Sequence, residues 1–211
     1  MNNKLLASQV ADKACHNSTA AKKWALSALT CSVLLAMGSA NAADVKVNSV
    51  ADAFSQGTVN ANLNLRYESV DQENALKDAD ALTLRTLLTF ATAEYYGLSA
   101  LVEFEDSRSV AGVNDYNDAI GNNTDYSVIA DPETTELDQA FLQYKRSGFR
   151  AKVGRQEIAL DNQRFVGPVG WRQDHQTFDA LTMQYAMNDF SVDYGYLYKR
   201  NRIFADIKDI D

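Results

Sequence analysis

Seven stretches of this chain alternate apolar and polar residues with a period of two, and that alternation restricts the fold more than any other feature of the sequence. Successive side chains of a β-strand point to opposite faces, so a two-residue period marks a strand with one apolar and one watered face. Residues 58–69 show it most clearly: Val59, Ala61, Leu63, Leu65 and Tyr67 alternate with Asn60, Asn62, Asn64, Arg66 and Glu68. Residues 82–92 set Leu82, Leu84, Leu88 and Phe90 against Thr83, Arg85, Thr89 and Ala91. Residues 98–105 set Leu98, Ala100, Val102 and Phe104 against Ser99, Glu103 and Glu105. Residues 138–145 place Ala140, Leu142 and Tyr144 opposite Gln139, Phe141, Gln143 and Lys145. Further runs cover 150–157, 178–187 and 191–199, the last with Val192, Tyr194, Tyr196 and Tyr198 on one face. The first run exceeds most soluble strands and matches the roughly 9–11 residues that a tilted strand needs to cross a bilayer.

A soluble antiparallel sandwich alternates too, and the connections separate the two cases. Residues 93–97, 146–149 and 188–190 are short turns, whereas 70–81, 106–137 and 158–177 are long. Short and long connections in strict succession belong to outer-membrane barrels, with short periplasmic turns and long outer loops. The expected fold class is therefore all-β, an antiparallel transmembrane β-barrel in the outer membrane of a Gram-negative bacterium. With a periplasmic N-terminus, the three long connections lie outside the cell. Tyr67, Phe90, Tyr95, Tyr96, Phe104, Tyr144, Tyr185, Tyr194 and Tyr198 gather near strand ends, as interfacial aromatic girdles do. Seven is an odd count where single-chain bacterial barrels have an even one, so residues 58–211 are expected to be the N-terminal part of a longer barrel.

Residues 1–42 read differently. Lys22 and Lys23 precede an uncharged apolar stretch, 24–37, followed by Gly38, Ser39 and the small-x-small triplet Ala40, Asn41, Ala42. That layout predicts a secretory signal peptide cleaved after Ala42, and the apolar stretch is too short for a spanning helix. Residues 43–57 then form a periplasmic N-terminal segment. Cys15 and Cys31 leave with the signal, so the mature chain has no cysteine. The loss of four lysines and one aspartate takes the formal charge from −8 to −11. An acidic chain of this kind is a poor partner for nucleic acid. The expected partners are outer-membrane lipid and lipopolysaccharide, the barrel-assembly machinery, and a carbohydrate or small polar solute.

If the polar rows face water, Asn62, Asn64, Arg66, Thr83, Arg85, Glu103, Glu105, Gln139, Gln143, Lys145 and Lys152 line the lumen. Arginines opposite carboxylates set up a transverse field that sorts solutes by charge, although the same groups would hydrate any barrel wall. The 106–137 loop is acidic, with Asp106, Asp115, Asp118, Asp125, Asp131 and Glu133. Ala119 and Ile120 stand where an EF-hand needs an oxygen ligand and a glycine, so no metal site and no cofactor are expected. His175, the one histidine after residue 42, would have to be the base of an outer-membrane hydrolase. It sits between Asp174 and Gln176 without a serine elbow, and no catalytic residue is assigned. A receptor or adhesin barrel without an open pore is a further alternative.

The most distinctive residues are Gly154, Arg155, Gln156 and Glu157, then Asp161 to Gly167, then Gly170, Trp171 and Arg172, then Thr177, Phe178 and Asp179. This succession resembles the alginate export family of outer-membrane barrels, in which a Gly-Arg-Gln strand end leads into an Arg-x-Val-Gly loop, a nearby Trp and a Phe-Asp strand start. Tyr96, Gly97, Leu98, Ser99 and Ala100, with Phe104, Glu105 and Asp106, resemble the family's third strand. The similarity covers residues 58–204. It implies a channel that passes polyuronate or other carbohydrate, with arginines guiding an anionic polymer, and no enzymatic activity. The residues expected to line the pore and its mouth are Arg66, Arg85, Glu103, Glu105, Lys145, Lys152, Arg155, Gln156, Arg164, Arg172 and Asp179, with Arg155 pointing to the lumen. The acidic loop stands against alginate as the cargo, because its charge would repel the polymer at the mouth.

Overall fold

A computed structural model describes residues 25–37, as backbone, and 47–204. Eight strands form one antiparallel sheet in chain order: β1 (Ala25–Met37), β2 (Thr58–Asp71), β3 (Ala79–Ala91), β4 (Leu98–Asp115), β5 (Thr134–Arg146), β6 (Phe149–Gln156), β7 (Thr177–Met187) and β8 (Phe190–Asn201). Every strand pairs with its sequence neighbour, so the sheet is a meander, and among the described residues β1 and β8 are its edges. Strands β2 to β8 are the seven that the alternation predicts. A short helix, α1 (Val50–Ser55), precedes them, with the Ser49 side chain accepting a hydrogen bond from the Asp52 amide at 3.0 Å. It packs at the short-turn end, where Phe54 stacks on Phe90 of β3 with ring centroids 6.2 Å apart.

Burial in this sheet runs opposite to that of a soluble protein. Arg66, Glu68, Thr83, Arg85, Glu103, Glu105 and Ser107 are buried, while Leu65, Leu88, Phe104, Leu142 and Val153 are exposed. Cross-strand register keeps the two sets apart: Asn64 lies opposite Arg85 and Arg85 opposite Ser107, whereas Leu65 lies opposite Leu84 and Leu88 opposite Phe104. An apolar outer row is stable against hydrocarbon and unstable against water, so the inversion itself points to the bilayer as the surrounding solvent. Among the described residues no helix is long and apolar enough to cross a membrane.

Two features depart from the sequence reading. The 106–137 connection is shorter than expected, because β4 continues to Asp115 over 18 residues and β5 begins at Thr134. The 158–177 connection does not stay outside the wall. It leaves β6 at the long-loop end and then folds back over the inner face, burying Arg172, Gln173 and Asp174. Above Glu68 the inner row becomes apolar. Val70, Ala79 and Ala81 form a small core there with Tyr116 and Ile129 of the β4–β5 loop.

The register also shows a bulge. Glu103 pairs with Gln139 and Phe104 with Leu137, so Asp138 is the extra residue of β5. Such a bulge re-aims a side chain. Alternation from Leu142 and Ala140 would turn Asp138 outward, yet it is buried beside the inner residues.

The apolar stretch read as part of a signal peptide is β1, antiparallel to β2 from Ala25–Asp71 to Met37–Val59, whereas the cleavage site after Ala42 lies outside the described residues. Mass spectrometry of the membrane-inserted protein separates the two states. A chain starting at Ala43 is expected, and retention of residues 25–37 would make β1 a permanent strand. The bilayer assignment has its own check. Leu142→Arg, on the outer row, should lower folding stability in lipid vesicles by about 2–4 kcal/mol, whereas Gln143→Arg on the inner row should cost under about 1 kcal/mol, as read by urea titration. Equal costs would place both rows in the same environment.

Candidate functional site: the inner face

Two clusters and a basic strip occupy the inner face. In the first cluster, Arg66 of β2 and Arg172 of the 157–176 segment converge on Glu68 and Asp131. Arg66 donates to Glu68 and to the Trp171 carbonyl and lies 3.5 Å from the Asp131 carboxylate. Arg172 Nη1 stands 3.3 Å from Glu68 Oε2 and 3.5 Å from Asp131 Oδ2. Two guanidinium groups facing two carboxylates satisfy the pairing that buried charges require. The Trp171 ring lies over the Arg172 guanidinium at 3.9 Å and keeps much of its surface open.

The second cluster joins Glu105 of β4, Asp138 at the β5 bulge and His175 of the 157–176 segment, whose ligating atoms lie within 4.8 Å of one another. The His175 ring is held from both sides. Its Nδ1 stands 2.7 Å from Glu157 and 4.0 Å from Asp138, and its Nε2 meets Arg85. Arg85 also donates to the Gln173 carbonyl at 3.2 Å. The hydrogen bond from His175 holds the Glu157 carboxyl below its usual range. One turn of the pleat nearer the short turns, Glu103 accepts from Thr89 and, at 2.7 Å, from Gln139. Neither ring nitrogen of His175 reaches a serine hydroxyl in the described hydrogen bonds.

The basic strip lies on β5 and β6. Lys145 is opposite Arg150, and Lys152 is opposite Gln143, all on the inner row. The Lys152 ammonium sits 4.5 Å from the centre of the Phe141 ring. No salt bridge joins any of these three cations to a carboxylate among the described residues. With Gln156, Glu157, Leu160 and Thr182, Arg150 and Lys152 line a cleft of about 340 Å3 beneath the start of the 157–176 segment.

The remaining expected site residues stand elsewhere. Arg155 does not follow the lumen expectation: it lies opposite Ala140 and Asp179, in the row of Val153 and Leu181, because alternation continues through Gly154. Its Nε donates to Asp179 at 2.9 Å and its Nη1 to the Leu137 carbonyl at 3.0 Å, so Arg155 and Asp179 form an interstrand pair on the row opposite the inner one. Gly154 has φ +123, and a side chain there would collide with the Ala140 carbonyl. Gln156 is buried, donates to the Ala180 carbonyl and accepts from Thr182, which makes it part of the wall. Arg164 is exposed on the turn that follows β6.

Sequence reasoning missed Asp131, Asp138 and Gln173. Gln173 is fully buried, and its Nε2 donates to the Thr83 hydroxyl at 2.8 Å, the Thr83 carbonyl at 3.1 Å and the Asn64 carbonyl at 3.3 Å. One side chain thereby fastens the returning loop to β2 and β3. The polar run Arg172 to His175 was the available signal, but nothing local shows that it turns inward.

A family description, alginate export, matches residues 55–197. The chain belongs to the alginate export family. Comparison with curated proteins and with solved structures gave no match. The family consists of outer-membrane transport channels, which agrees with the inverted burial of β2 to β8. All the residues of the two clusters and the basic strip fall inside the stretch matched to the alginate export family.

The Gln173 anchor makes a measurable claim. Gln173→Ala removes three hydrogen bonds from a buried position and should lower the opening free energy of residues 157–176 by about 1–3 kcal/mol. Hydrogen-exchange mass spectrometry should then show roughly tenfold or faster exchange in that segment alone. Unchanged exchange would mean that Arg66 and Arg172 hold the loop without it.

Proposed function

We propose that this chain builds the inner wall of a water-filled outer-membrane channel that passes polysaccharide, oligosaccharides or other small polar solutes. The observation that carries this reading is the predominantly polar inner row on β2 to β6, interrupted by Leu87 and Phe141, with acids on β4 and β5 and unpaired cations on β5 and β6. Charges of opposite sign on one narrow wall orient a hydrated solute and sort it by charge and hydrogen bonding. Arg66, Arg85, Arg172, Glu103 and Glu105 shape the path from within their clusters, and Lys145, Arg150 and Lys152 offer charge to the passing solute.

An anionic cargo fits this wall better than the formal charge of the sequence suggests. Several loop acids are already engaged: Asp125 with Lys77 at 2.6 Å, Asp106 and Glu133 with Arg108, and Asp131 with Arg66 and Arg172. Asp118 Oδ1 accepts from the amides of Ile120, Gly121 and Asn122. Paired or hydrogen-bonded in this way, these acids repel a polyuronate less than their number implies.

Single-channel recording of the full-length protein in planar bilayers tests the proposal. Open conductance that oligosaccharides block is expected. Replacing Arg150 and Lys152 together with Ala should weaken blockade by oligo-uronates by about tenfold, the size of losing one or two charge-assisted contacts, and leave neutral oligosaccharides nearly unchanged. Equal blockade before and after would reduce the basic strip to hydration of the wall. A barrel without conductance would favour a receptor or adhesin closed by residues 157–176.

A further inference from the structure

The second cluster gathers more carboxyl groups than it has facing cations to balance them. Glu105 is 1% exposed, and neither carboxylate oxygen has a hydrogen-bond partner. Asp138 is buried beside it, and its Oδ2 likewise lacks a hydrogen-bond partner. Glu103 and Glu157 add their fields to that of Asp138, and the facing groups that can carry positive charge are Arg85 and His175. Removing a carboxylate from water costs several kcal/mol unless charge and hydrogen bonds replace the lost hydration. The contrast with the first cluster is direct, since each carboxylate there faces guanidinium groups.

The geometry points to a divalent-cation site formed by Glu105, Asp138 and His175, where two strands of the wall and the returning loop bring their ligating atoms within 4.8 Å of one another. A metal that binds its ligands at about 2.0–2.2 Å needs donor atoms roughly 3–4 Å apart, so small side-chain rotations close the site. The β5 bulge supplies the orientation that Asp138 needs. Two carboxylate oxygens and one imidazole nitrogen form a donor set for a first-row divalent ion such as Zn²⁺ or Mn²⁺, because Ca²⁺ and Mg²⁺ prefer oxygen alone.

The contacts also indicate how the imidazole binds. Nδ1 is the nitrogen on the Asp138 side, and Glu157, 2.7 Å from it, is available as a fourth donor. Coordination through Nδ1 leaves the ring proton on Nε2. Arg85 must then release that nitrogen, and it keeps the Gln173 carbonyl that it already reaches at 3.2 Å. A bound ion would therefore clamp residues 157–176 to β4 and β5 through His175, beside the point where Gln173 fastens the same segment to β2 and β3. The inference stands apart from the solute reading, since it concerns binding of the ion itself.

Isothermal titration of the untagged full-length protein, folded in detergent and stripped with chelator, tests it with Zn²⁺ as the probe and Ca²⁺ as the comparison. Saturable uptake of one Zn²⁺ per chain is expected, with much weaker uptake of Ca²⁺. Glu105→Gln and His175→Gln, near-isosteric changes checked for folding by heat-modifiable gel mobility, should each weaken Zn²⁺ binding by about 100-fold. X-ray absorption of the Zn²⁺-loaded wild-type protein needs no variant, and should show an all-N/O shell near about 2.0–2.1 Å that contains one imidazole. No saturable uptake, unchanged affinity in His175→Gln, or a shell without imidazole would overturn the site and leave protons as the balancing charge.

Discussion

In hydrocarbon, a backbone amide has no water to bond with, and each unpaired group costs several kcal/mol. This one constraint organises the described chain. It requires every strand to be paired with a neighbour, which the meander β1 to β8 does in sequence order. It also explains why the short turns can be so short: consecutive antiparallel strands need no crossover. The two edges, β1 and β8, do not meet in the sheet order. In a bilayer both need partners, because an edge exposed to lipid is not stable.

Once the outer face is given to lipid, the inner face must be polar, and its stability becomes a matter of charge pairing. The Arg66–Arg172–Glu68–Asp131 cluster achieves this with groups from a strand, the returning loop and the β4–β5 loop. No single hairpin could assemble it. The loops therefore do more than connect strands: they carry counter-charges to the wall. The same return path brings His175 to Glu105 and Asp138, where balance is incomplete.

The extent of what the sequence reveals follows from how local each signal is. Alternation in residues 58–69 and 82–92 is local, and the facing of Arg66 and Arg85 follows from it. Alternation stops being a guide where the register slips. Asp138 is inside only because β5 gains a residue against β4, a fact about the partner strand. Arg155 illustrates the opposite case, since the expected lumen facing fails where the register runs straight through Gly154 and sets Arg155 in the row of Val153. Gln173 and Asp131 lie in loops, where no periodicity exists and placement depends on contacts distant in sequence, 42 residues apart for Asp131 with Gln173 and 109 for Gln173 with Asn64. Helix α1 was legible in principle from the Ser49 and Asp52 spacing, but six residues are too few to show an apolar stripe.

At the long-loop end of the sheet the chain reverts to ordinary globular rules. Ile129 and Ala79 are fully buried there, and the Tyr116 hydroxyl donates to the Asp131 carbonyl at 2.9 Å. The β4–β5 loop is thus a packed cap with its own small core. Its surface is a shaped epitope rather than a set of linear peptides. Antibodies raised against the folded cap would bind residues brought together from the β2–β3 and β4–β5 loops, and short synthetic peptides from 116–133 would reproduce little of that surface.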